Sequence, residues 1–207
     1  EVRLNVDYFD HKAELDALRP AAPQPDFAPG FYSQYISLNF TNEGGAEGTI
    51  RFLKNIMGLW IIQESRRQWK REGKDYSFAQ MEAWAKECTP FRSLINVDYK
   101  TFNTPGNMPE KIRDYCRMTN QPVPETVGQV ARCVYESLAL KYRHALEGLE
   151  KMKGQRIDSL NIVGGPINNK FLDQLIADAL DREVVTGPVE GAAIGNLLTQ
   201  AMALGDI

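Results

Sequence analysis

Apolar residues recur along the chain with two different rhythms. From Gly48 to about Gly73, the positions Ile50, Leu53, Ile56, Met57, Trp60 and Ile61 follow helical spacing. The basic end of this run, Arg66, Arg67, Lys70 and Arg71, suits a helix C-terminus, and Gly73 is placed to stop it. A second helix is expected from Ser77 to Cys88 with Ser77 as N-cap. Ile95 to Phe102 reads as strand or extended chain, and Thr104-Pro105-Gly106 as a turn. Pro109 to Met118 opens with proline and continues as helix. Gln121-Pro122-Val123-Pro124 then separates it from a long helix, Glu125 to Met152, whose stripe is Val127, Val130, Val134, Leu138, Tyr142, Leu146 and Leu149.

The last third changes rhythm. A short apolar strand, Leu160 to Val163, runs into Gly164-Gly165-Pro166. A helix from Asn168 to Leu180, a strand Glu183–Thr186, a Gly187-Pro188 turn and a final helix Glu190 to Met202 follow. This is α/β patterning beside a helix-rich middle. The first forty residues are punctuated by Ala21-Ala22-Pro23-Gln24-Pro25 and Ala28-Pro29-Gly30, with only Asp10 to Leu18 suited to a short helix.

Composition narrows the class. The 207 residues are 43% hydrophobic and 25% charged, enough to bury a core. A net charge of -3 offers no basic field for nucleic acid. No apolar run approaches the roughly 18–20 residues that span a bilayer, so no membrane partner is expected. The N-terminus carries neither a signal-peptide pattern nor an initiator Met, which suggests a processed chain or part of a longer one. Cys88, Cys116 and Cys133 are too few and too scattered for a zinc ribbon or a disulfide scaffold, and a reduced, cytoplasmic protein is expected. A Cys88–Cys116 bridge stays open on sequence alone. His11 and His144 are far apart, so a histidine metal site is not expected.

Three clusters carry candidate chemistry. Asn161-Ile162-Val163-Gly164-Gly165-Pro166, with Asn168-Asn169 beyond, is a strand ending in glycines before a helix N-terminus, where a backbone can lie close against a ligand. The same turn serves tight packing in many α/β folds, and it matches neither a GxGxxG fingerprint nor a Walker A loop. Asn42-Glu43-Gly44-Gly45 reads as a loop before the first long helix, either structural or abutting a cleft. Asn55 and Gln63, eight residues apart in the expected helix, would share one face and turn toward either an internal partner or a ligand.

These segments resemble the rhamnulokinase branch of the FGGY carbohydrate kinases. The resemblance rests on Thr41-Asn42-Glu43-Gly44-Gly45, Leu53-Lys54-Asn55-Ile56-Met57-Gly58-Leu59-Trp60, Pro122-Val123-Pro124-Glu125, Ser137-Leu138-Ala139, Ile162-Val163-Gly164-Gly165, Gly187-Pro188-Val189-Glu190 and Ile194-Gly195-Asn196. It covers the chain from about Ser37 onward. It implies an α/β fold: the C-terminal lobe of the actin and sugar-kinase (ribonuclease H-like) superfamily, helix-rich around a mixed sheet. Residues 1–36 would be an irregular link or insertion, and 37–207 the nucleotide-binding lobe of a two-lobed kinase whose N-terminal lobe is a separate partner.

The resemblance further implies ATP and Mg2+ as cofactors and a ketose as substrate, most closely L-rhamnulose phosphorylated at O1. L-fuculose, D-xylulose or a non-catalytic domain of the same fold are the alternatives. Carried over by position, Asn55 would reach the ketose, while Gln63, Gly164, Gly165 and Asn169 would face the nucleotide. No residue here matches the family's catalytic aspartate or its Ser-Gly-Thr phosphate loop, so the chain is expected to be inactive alone. Pro166 stands where the family usually has a third glycine, which puts a backbone contact at that position in doubt.

Overall fold

The computed structural model of the protein describes residues 40–44 and 50–206. The expected helix Asp10 to Leu18 and the link 1–36 lie outside the described residues. The described residues form two compact units: Ile56–Arg143 with 158–206, and 40–44 and 50–55 with His144–Ile157.

In the smaller unit, strands β1 (Thr41–Gly44) and β2 (Ile50–Leu53) pair antiparallel, Thr41 opposite Leu53 and Gly44 opposite Ile50. Phe40 stacks on Phe52 with ring centroids 4.9 Å apart, and the Lys54 ammonium lies 5.3 Å over the Phe40 ring. This corrects two expectations. Asn42-Glu43-Gly44 is strand, with Gly45 outside the described residues, and Ile50 to Leu53 is not the start of a helix. The aromatic side chain at 52 suits a pleated ribbon, and pairing with 41–44 overrides the apparent helical period.

The larger unit begins with the loop to helix α1 (Trp60–Arg71). Gly73 ends it in the left-handed region at φ +81, and the Lys74 N–H closes onto the Trp69 carbonyl at 2.9 Å. Helix α2 (Phe78–Glu87) starts at the expected N-cap Ser77 and closes a capping box there, the Ser77 hydroxyl and the Gln80 side chain each accepting the other's backbone N–H. Asn107 caps α3 (Met108–Met118). Between them no strand forms over Ile95 to Phe102. The Leu94 N–H donates to Gln121 Oε1 at 2.7 Å, the Ile95 N–H donates to Ser137 Oγ at 2.9 Å, and a 3-10 turn follows at Lys100–Asn103. Side chains thus take the bonds a neighbouring strand would have made.

Helix α4 (Val127–Lys153) buries Val130, Val134, Leu138, Tyr142, Leu146 and Leu149 to 2% exposure or less, with Val127 half-buried at its start. Strand β3 (Ser159–Ile162) pairs in parallel with β4 (Glu183–Thr186) across helix α5 (Lys170–Leu180). Helix α6 (Gly191–Leu204) follows and buries none of its residues, leaving Ile194, Leu197, Leu198, Met202 and Leu204 exposed. The expected mixed sheet is, among the described residues, two separate two-stranded sheets, one antiparallel and one parallel.

The three thiols are free. Buried Cys116 neighbours Cys133, not Cys88, and that contact together with burial pushes the Cys133 thiol well above its usual range. No described helix is long and apolar enough to cross a membrane.

Candidate functional site

The glycine turn is held from several sides. Gly164 takes φ +84 and ψ -163, a conformation reserved for glycine. Its N–H donates to the Pro188 carbonyl at 3.2 Å, while the Gly187 N–H donates to the Ile162 carbonyl at 2.8 Å. The two glycine–proline segments, 164–166 and 187–188, are therefore stitched together just past the C-terminal ends of the paired strands. Ligands of open α/β sheets bind in that position. Gly165 is exposed, and a methyl group there would meet no atom within 4 Å. The absence of a side chain at 165 is thus not required by packing.

Pro166 does not break the turn. Buried, it sits in the first positions of a short 3-10 helix, Gly165–Asn168, where a missing N–H is tolerated. Its carbonyl accepts the Asn169 N–H at 2.9 Å.

Asn169 joins this turn to α5: its side chain accepts the Leu172 N–H at 2.9 Å. A cap whose Oδ1 faces the helix keeps its amide NH2 for other partners. The Tyr135 hydroxyl, buried on α4, makes no hydrogen bond among the described residues; burial pushes that phenol up to about 12, partly offset by the nearby Asn169 side chain.

The start of α5 is anchored further. The Phe171 N–H donates to Glu82 Oε1 on α2 at 3.3 Å. The Phe171 ring receives the Arg132 guanidinium at 5.3 Å and the Lys86 ammonium at 5.8 Å, and meets Tyr135 edge-on at 6.3 Å. Arg132 is fixed in turn by Glu136 at 2.7 Å and by the Ala85 carbonyl at 3.0 Å. Asp173, one turn along, is buried with neither oxygen hydrogen-bonded. Burial raises its carboxyl above the ordinary value, only partly opposed by Lys170 Nζ at 3.7 Å.

Gln63 projects from the first turn of α1 and is exposed, its backbone N–H donating to the Leu59 carbonyl at 3.0 Å. Its neighbour Glu64 is 1% exposed. Its carboxylate accepts from Arg67 at 3.0 Å, from Arg71 at 3.3 Å and from the Gly106 N–H at 3.3 Å. This pins α1 to the 104–106 turn and leaves Gln63 facing water. Asn55 is also exposed, in the loop after β2, and belongs to the smaller unit. The expectation that Asn55 and Gln63 share a helix face is therefore corrected, because Asn55 precedes the helix. Gly164, Gly165 and Asn169 are brought into one turn, and Gln63 lies in the same unit.

Sequence reasoning missed Tyr135, Glu82, Phe171 and Arg132 as supports of this turn. The one visible trace was polar residues, Arg132 and Glu136, set inside the α4 run at a spacing of four.

The glycine turn, the capped helix behind it and the adjoining helical layer are the make-up of a carbohydrate-kinase C-terminal domain. Residues 17–204 match the family model described as the FGGY family of carbohydrate kinases, C-terminal domain, and the chain belongs to that family. Among curated relatives, the rhamnulokinase of Bacteroides thetaiotaomicron is 48% identical over 86% of this chain and 36% of its own length. The rhamnulokinase of Bacillus subtilis is 45% identical over 82% of this chain and 34% of its own. The chain thus spans about a third of the length of these relatives. Among solved structures, xylulose kinase from Rhodospirillum rubrum superposes with a TM-score of 0.51 at 17% identity, over 74% of this chain and 31% of that one, a likeness of fold.

Proposed function

We propose that residues 37–207 form the nucleotide-binding lobe of an ATP-dependent ketose kinase that converts L-rhamnulose to L-rhamnulose 1-phosphate. The observation that carries this reading is the turn at Gly164-Gly165: its strained first glycine is fixed on both sides, and its second glycine faces open space that packing does not need. Such a surface accepts a flat, hydrogen-bonding ligand such as adenosine at backbone distance. The choice of L-rhamnulose over L-fuculose or D-xylulose rests on relatives named rhamnulokinase at 45–48% identity.

In this reading Gly164 and Gly165 lie against the adenosine, the Asn169 amide donates to it, Gln63 reaches the nucleotide from α1, and Asn55 meets the ketose. Catalysis of phosphoryl transfer is mainly positioning and charge stabilisation. This chain positions the nucleotide, and the base and the γ-phosphate loop belong to the N-terminal lobe. The described residues contain no group of three or more acidic, His or Cys side chains arranged for a metal, so no magnesium ligand is assigned to them. We place the protein in the cytoplasm, with ATP, a ketose and the N-terminal lobe as its partners.

Calorimetric titration of Mg-ADP into the chain, beside a Gly165→Val variant, tests the reading. The variant's branched side chain enters open space, so its melting temperature should match the parent's while its heat of binding disappears. Equal binding by both proteins, or no binding by the parent up to millimolar ADP, overturns it. ADP release by the chain alone in a coupled assay with L-rhamnulose would overturn the assignment of the base to the other lobe.

A further inference from the structure

A cavity of about 140 Å³ opens in the larger unit between the end of α1, the loop to α2 and the starts of α3 and α4. None of the residues assigned to nucleotide or ketose lines it. Trp69 forms one wall and is 5% exposed. Buried indole N–H groups usually find an acceptor, as Trp60 does at the Phe102 carbonyl 3.0 Å away. The Trp69 N–H finds none among the described residues, although that atom is not itself fully buried. Tyr76, whose ring meets Trp69 edge-on at 6.0 Å, lines the same space, and its hydroxyl has no partner among the described residues either. Lys74 stands beside them without an ion pair among the described residues.

The chemistry of the walls selects the ligand. Lys74 and Arg113 carry two positive charges, Glu72 and Glu125 two negative ones, so the lining is balanced. Arg113 is already engaged by Glu110 at 2.9 Å and by the Pro124 carbonyl at 3.0 Å, which leaves little to attract an anion. The lining thus carries an indole N–H, a phenol and an ammonium without partners among the described residues beside two carboxylates, one of which, Glu72, also accepts from Gln68 at 2.8 Å. Groups that donate and accept in equal measure satisfy such walls, and those groups are hydroxyls. The volume suits a single monosaccharide ring.

We infer that this cavity is a second small-molecule site, taking a neutral polyhydroxylated ligand of monosaccharide size. The inference does not rest on the kinase reading.

Saturation-transfer NMR and calorimetry on the intact chain test it with a panel of D-ribose, D-xylose, L-rhamnose, D-fructose and myo-inositol. At least one should bind saturably in the millimolar range. Trp69→Phe and Tyr76→Phe keep the rings and each remove one donor, and each should weaken that binding about two- to tenfold. Asn55→Ala should leave it unchanged. Binding lost in Asn55→Ala but kept in both ring variants would place the sugar at the ketose position and overturn the inference while leaving the kinase reading intact. No saturable member of the panel up to about 50 mM, a concentration well above millimolar dissociation constants, overturns it as well. So does displacement of the sugar by an equal concentration of inorganic phosphate, which would mark the cavity as an anion site. Circular dichroism of each variant separates a lost donor from a lost fold.

Discussion

Gly128, the second residue of α4, sets how closely that helix approaches α2. A Cβ placed on it would lie 2.6 Å from the Trp84 carbonyl oxygen, 2.8 Å from its carbonyl carbon and 2.9 Å from its Cβ. All three are inside contact distance and two are backbone atoms, so no rotamer change relieves the overlap. Two effects oppose each other in Gly128→Ala. Alanine favours the helix by at most about 1 kcal/mol, and by less this near the N-terminus. Overpacking against rigid backbone costs about 1–3 kcal/mol.

The clash wins, for a net loss of about 1–2 kcal/mol, or roughly 2–8 °C in melting temperature for a chain of this length. Gly195 provides the matched control: it lies inside α6, and a methyl group there meets nothing within 4 Å. Gly195→Ala should leave the melting temperature unchanged or slightly higher. Urea and thermal unfolding of the two variants beside the parent make the comparison. A Gly128→Ala protein as stable as the parent, or a Gly195→Ala loss of equal size, would refute the close-approach argument.

Other perturbations separate structure from binding. Asn169→Ala should cost about 1 kcal/mol as a lost helix cap, whereas Asn169→Asp keeps the cap. Both should weaken Mg-ADP if the amide NH2 faces the nucleotide, so calorimetry and melting would disagree only for the aspartate variant. Asp173 has its folded pKa raised by burial, so its ionised form opposes folding. Asp173→Asn should melt higher than the parent at pH 7 to 8, with the gain shrinking as pH falls through the raised pKa toward the ordinary 3.8. Glu64 behaves oppositely: burial pushes its pKa up, but Arg67, the Gly106 N–H and Arg71 together hold it below the ordinary 4.5. Its stabilisation is present above that value and lost below it. Glu64→Gln should therefore melt lower at pH 7 and converge with the parent as pH falls from the ordinary 4.5 through the lowered pKa.

How far the fold could be read from sequence depended on where each decision is made. The Ser77 cap, Gly73 and Glu183–Thr186 were legible because their determinants lie within a few residues. The strand Ile50–Leu53 was not. Its apolar residues at 50 and 53 continue with 56, 57, 60 and 61 in a helical period, and only pairing with 41–44 decides against a helix. Ile95 to Phe102 failed similarly, since the backbone at its start bonds from Leu94 to Gln121 and from Ile95 to Ser137, 27 and 42 residues away. At the site the glycine turn was visible as a motif. The contacts that hold it were not, because Glu82 reaches Phe171 across 89 residues and gives no local signal.

Helix α6 matters for the life of the protein in a cell. Five large apolar side chains on one exposed helix present to a protease or a holdase chaperone the kind of surface by which unfolded chains are recognised. Turnover of the isolated chain would then be set at 191–204, by whatever shields that helix, and would respond little to stabilising the core around α4.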